Sequence, residues 1–81
     1  MPSPDLATAA RRLLARNVRR VREHAGLTQQ ATADRAGLDI RHFQKVEHEE
    51  SNATVETLAR IAAALDVGIA ALFKVLRPRS H

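Results

Sequence analysis

The chain predicts an all-α fold, on three observations. Aromatic residues make up 2% of its 81 residues, too few for sheets, which draw on aromatic and β-branched side chains, whereas Ala, Leu, Arg and Glu recur and favour helix. Apolar residues return at three-to-four-residue steps. Ser, Thr or Asp repeatedly precedes such a run and glycine follows it, which is how helices start and stop. A chain of this length holds one domain, with a core that hides only about 60% of the surface its unfolded form exposes.

The elements follow in order. Residues 1–5 read as a proline-broken tail. Leu6, Ala10, Leu13, Leu14, Val18, Val21 and Ala25 then mark an amphipathic helix that ends at Gly26, capped by Asp5 or Thr8. Thr28 caps a second helix to about Ala36, and Gly37 supplies the positive φ of a stop. Asp39 caps a third, to about Glu47. Thr54 caps a fourth, whose inward stripe is Val55, Leu58, Ile61, Ala62 and Leu65. After Gly68 comes a fifth helix with Ile69, Leu72, Phe73 and Leu76, closed by Pro78. The folded domain is thus expected over 6–76, with 77–81 a frayed tail.

The middle of the chain carries the functional signal. Gly26-Leu27-Thr28-Gln29-Gln30-Ala31, then Ala33, Gly37-Leu38-Asp39, Phe43, Val46 and Glu47, describe two short helices joined by a three-to-four-residue corner. Small domains use this helix-turn-helix to lay one helix in the major groove of DNA. With Leu38, Phe43 and Val46 facing inward, Ile40, Arg41, Gln44 and Lys45 form the opposite stripe of the third helix. Arg and Lys donate to guanine O6 and N7, Gln pairs with adenine, and Ile meets a thymine methyl, so these four are the candidate base contacts. Without the surrounding motif, the same residues would describe any solvated helix face. Thr28 and Gln29 at the start of the second helix, and Asn52 in the loop after the third, are the candidate phosphate contacts. For Thr28 the plainer role is the cap, and for Asn52 a turn-stabilising bond.

Val18, Arg22-Glu23, Gly26-Leu27-Thr28-Gln29, Ala33, Gly37, Phe43, Val46, Glu47, Leu58, Ile61-Ala62, Leu65 and Val67 resemble the pattern of the phage-repressor and Cro-like (XRE-type) transcriptional regulators over roughly residues 14 to 73. Within them, Gly37-Leu38-Asp39, Asn52-Ala53-Thr54 and the leucine-rich fourth helix look most like restriction-modification controller proteins. The resemblance implies a compact five-helix repressor-like DNA-binding domain, with the helix-turn-helix in helices 2 and 3. It also implies a structural ion pair between Arg22 and Glu47, which sequence alone would read as solvated charges. Two departures stand out. Thr32 replaces an inward leucine and is expected to bond back to the Thr28 carbonyl. His48-Glu49-Glu50 puts a carboxylate where the family usually has glycine, with basic residues often nearby.

The net charge of +4 and pI near 11.1 suit a nucleic-acid binder, but the charge is unevenly spread. Met1 to Leu27 carries six arginines against Asp5 and Glu23, whereas Thr28 to Thr54 carries Arg35, Arg41 and Lys45 against five carboxylates. The reading head is slightly acidic, so one half-site should bind weakly. Arg11, Arg12, Arg16, Arg19 and Arg20 on the first helix either compensate, meet an acidic partner or are simply solvated. A dimer is therefore expected, through Ile69, Phe73, Val75 and Leu76, set on an inverted-repeat operator in double-stranded DNA. The bland alternative is that Ile69, Leu72 and Phe73 merely finish the monomer core.

Other classes are disfavoured. The Arg-rich start mimics a mitochondrial presequence, but its apolar register runs on into the helix-turn-helix. No apolar run approaches the roughly 20 residues of a membrane span, and no cysteine is present. His24, His42, His48 and His81 lack metal-ligand spacing, and no phosphate loop or nucleophile setting occurs, so no enzyme, cofactor, metal or small-molecule substrate is expected. Asn52-Ala53-Thr54 spells a glycosylation acceptor without meaning in the expected cytoplasmic setting. The rival reading keeps the fold as a protein-interaction or antitoxin-like module with weak or no DNA binding.

Overall fold

The computed structural model describes residues 5–75. Within them lie four α-helices, α1 (Leu6–His24), α2 (Gln29–Ala36), α3 (Ile40–Glu47) and α4 (Val55–Ala64), followed by a 3₁₀ helix (Ile69–Phe73).

Each α-helix starts on a side-chain cap. Asp5 accepts from the Ala7 amide, Thr28 from Ala31, Asp39 from Arg41 and Thr54 from Thr57, satisfying amides that have no partner inside the helix. The Thr8 hydroxyl first, and then the Ala7 amide, hold the Asp5 carboxyl below its ordinary pKa of 3.8. The helices also end alike. Leu27 N–H donates to the Arg22 carbonyl, Leu38 to Ala33, Glu50 to Lys45 and Val67 to Ala62, the long bond of a Schellman stop. The residue before each donor is left-handed: Gly26, Gly37, Glu49 and Asp66, with φ of 73°, 69°, 64° and 57°. Two of the four stops therefore dispense with glycine.

Leu14 and Val18 of α1, Ala33 of α2, Phe43 and Val46 of α3, Leu58, Ile61 and Ala62 of α4, then Leu65 and Leu72 form the core. Thr32 is buried, and its hydroxyl donates to the Thr28 carbonyl at 2.9 Å, as expected. Leu6 and Val55, expected in apolar stripes, are exposed. Both open their helices, Leu6 eight residues and Val55 three residues before the nearest buried member of the stripe.

The expected fifth α-helix is the 3₁₀ turn. The Ala71 amide donates to the Gly68 carbonyl, and Lys74 is already extended. Leu76, residues 1–4 of the expected N-terminal tail and the whole expected tail 77–81 fall outside the described residues. The turn is fixed by Asn17, a buried polar residue on the core side of α1. Its Nδ2 donates to the carbonyls of Leu72 at 3.0 Å and Lys74 at 2.9 Å, taking at Leu72 a group that a continuing α-helix would use itself.

Candidate nucleic-acid interface

α2 and α3 meet across a corner of three residues, Gly37-Leu38-Asp39. Glycine suits position 37, since its φ is 69° and an added Cβ would stand 3.2 Å from the Arg60 guanidinium, which would have to shift. The corner directs α3 so that Phe43 and Val46 are buried while Arg41 and Lys45 are exposed.

Behind α3 the expected ion pair is present. Arg22 donates through Nε to Glu47 Oε2 at 2.6 Å and through a terminal nitrogen to Oε1 at 3.1 Å, while its other terminal nitrogen holds the Leu27 carbonyl at 2.9 Å. The Glu47 side chain is 0% exposed and that of Arg22 12%. The bonds to Glu47 hold the Arg22 guanidinium above its ordinary pKa, against partial burial, which would lower it. The bridge ties α1 to the end of α3 and to the α1–α2 corner at once.

The network continues to the surface. Gln29 Nε2 donates to Glu47 Oε1 at 2.9 Å, and Gln44 Nε2 donates to Gln29 Oε1 at 3.2 Å. Gln29 is therefore not the free arm expected at the helix start; it is the link between the ion pair and α3. Each amide still has one N–H, and Gln44 also keeps its carbonyl oxygen, which is the complement a glutamine needs against adenine.

Two other expectations change. Ile40 is half-buried and packed on the core, because it lies three residues before Phe43 and shares its face. The exposed part of the α3 stripe is thus Arg41, Lys45 and the outer edge of Gln44. Asn52 makes a long-range bond in place of the expected turn-stabilising one, since Arg11 of α1 donates to its Oδ1 at 2.8 Å. Arg11 is correspondingly not a free cation. Thr28 acts as the α2 cap, and the amides of Gln29 and Gln30 at that helix start remain available to an anion.

One residue escaped the sequence reading: Asn17, detectable as a polar residue at a core position of the α1 stripe. Arg19, expected only among the cations of the first helix, stands 3.7 Å from Glu47 Oε1, a contact with no local signal. Ile69 and Phe73 are 39% and 38% exposed and Val75 is 62% exposed, so large apolar side chains remain uncovered around the 3₁₀ helix. Among the described residues there is no group of His, Cys, Asp and Glu suited to a metal ion, and no helix is long and apolar enough to cross a membrane.

Comparison with known proteins agrees with this geometry. The helix-turn-helix family model HTH_3 matches residues 18–72. Control protein C.SmaI of Serratia marcescens is 34% identical over 70 residues, spanning 85% of this chain and 83% of its own. The crystal structure of the restriction-modification controller protein C.AhdI from Aeromonas hydrophila superposes with a TM-score of 0.78 at 29% identity, covering 80% of this chain and 98% of that one. A hypothetical transcription factor, NHTF, from Neisseria gives a TM-score of 0.79 at 32% identity, with 91% and 86% covered. The chain belongs to the HTH_3 (XRE-type) helix-turn-helix family of DNA-binding transcriptional regulators.

Proposed function

We propose that the protein acts as a homodimer that occupies an inverted-repeat operator, each α3 reading one half-site from the major groove, in the manner of a restriction-modification controller. The observation that carries this reading is the Arg22–Glu47–Gln29–Gln44 chain. It ties the amide donors of the reading face to a buried ion pair, and such pre-ordering lowers the entropy lost when side chains are fixed on a partner. Arg41 and Lys45 supply the donors for guanine, and Gln44 the paired donor and acceptor for adenine. Phosphates are received at the start of α2, by the amides beside Thr28 and the remaining N–H of Gln29. Asn52 contributes only through its amide N–H groups.

Ile69, Phe73 and Val75 form the apolar patch proposed to bring two copies together. A two-fold pair sets the reading helices roughly 34 to 36 Å apart, one turn of DNA. The protein works without cofactor or catalysis, in the cytoplasm. Footprinting with a salt series tests the reading. The expected result is protection of an inverted repeat, with the logarithm of affinity falling steeply against log salt. Absent or salt-insensitive DNA binding would instead favour the protein-interaction module.

A further inference from the structure

α1 contributes a second charged feature that the base-reading face does not use. Arg12, Arg16, Arg19 and Arg20 line an open groove whose other side includes Glu47 and Glu49. Its volume, about 720 Å³, is that of a small-molecule pocket, but its lining is polar or charged apart from Ala15, whereas such pockets are mostly apolar. The three acids of the lining, Glu23, Glu47 and Glu49, do not balance its four arginines. Glu47 is already bound twice by Arg22. Arg12 meets Glu49 only at 3.5 Å, between side chains 61% and 45% exposed. Among the described residues, Arg16 and Arg20 have no carboxylate within 4.0 Å.

Positions 12, 16, 19 and 20 share one helical face, spanning about 12 Å at 1.5 Å per residue. That length suits a few successive phosphates of one strand, which advance about 3.4 Å each along the duplex. The groove reaches the end of α3. Glu47, the last residue of α3, forms part of its wall and is the same carboxylate that anchors Gln29 and, through it, Gln44.

Resting on the proposed regulator reading, we infer that this arginine ridge binds the sugar-phosphate backbone flanking each half-site. It supplies the phosphate contacts that the acidic turn His48-Glu49-Glu50 cannot make. Phosphate displaces Glu49 from Arg12, an exchange that the long, exposed pair opposes only weakly. The ridge adds affinity and salt dependence, not base preference.

The test uses the full chain and the duplex that wild-type protein selects from a random pool, with Arg12→Ala/Arg16→Ala as the variant. Neither arginine holds a buried partner, so the melting temperature should change little. The expected result is at least a tenfold loss of affinity, a salt slope reduced by about 0.9 for each lost phosphate contact, and unchanged base preference. Trimming the flanks of the duplex should weaken wild type more than the variant, which keeps Arg19 and Arg20 alone of the ridge. Wild-type binding with unchanged affinity and salt slope in the variant overturns this inference alone, and would leave the ridge to an acidic protein surface. A wild-type protein that selects no duplex overturns the regulator reading and this inference with it.

Discussion

Glu47 is a carboxylate without contact with water, and its charge is compatible with burial only because Arg22, Gln29 and Arg19 surround it. Removing one partner of such a pair costs about 3–5 kcal/mol, since the other is left buried and uncompensated. Arg19 and Gln29 would still face Glu47, so Arg22→Ala is expected at the lower end, near 3 kcal/mol. For a domain of this size that corresponds to a fall in melting temperature of more than about 10 °C; calorimetry checks it, and an unchanged transition would contradict the pairing. Glu49 presents the opposite case. Its φ of 64° costs about 1 kcal/mol for a residue with a Cβ, and the exposed Arg12 contact offsets only part of that. Glu49→Gly should raise the melting temperature by several degrees, whereas Glu49→Ala, which keeps the strain and loses the contact, should not. Equal melting temperatures for the two variants would remove strain as the cause.

At the scale of the elements, the 3₁₀ helix depends on one side chain of α1. Asn17→Ala leaves the Leu72 and Lys74 carbonyls without their shared donor, and an orphaned buried polar group costs about 1–3 kcal/mol. Amide hydrogen exchange should accelerate first in the segment Ile69–Phe73, with α2 and α3 protected as before; uniform acceleration would contradict a local clamp. The same contrast separates what the sequence revealed from what it hid. The starts of α1 to α4 were legible because caps act within three residues, and the Gly26 and Gly37 stops because glycine marks a left-handed position. The stops at Glu49 and Asp66 were hidden, as an acidic residue does not advertise a positive φ. The fifth helix was misjudged because Asn17, more than fifty residues away, decides its form. At the interface, the Arg22–Glu47 bridge was visible only through resemblance. The Gln29 and Gln44 links span eighteen and fifteen residues and depend on how α2 and α3 cross. Ile40 was placed on the outer stripe, although its offset of three from Phe43 already argued otherwise.

At the scale of the whole molecule, a slightly acidic reading head is combined with a strongly basic first helix and an uncovered apolar patch around Phe73. In the proposed mode of action, weak affinity per subunit would make two copies necessary for tight binding to one operator. Sedimentation at tens of micromolar protein should give a dimer, and Phe73→Ser should shift it towards monomer while the helices persist; a wild-type monomer at that concentration would contradict the assembly. The account rests above all on the outer face of α3 reading bases. Selection of bound duplexes from a random pool, run in parallel for wild type and Arg41→Ala, tests this most directly. Wild type should enrich one inverted repeat, and the variant should lose its preference at a single position in each half-site, where a good contact discriminates by about 1–3 kcal/mol. Identical preference at every position would contradict the account.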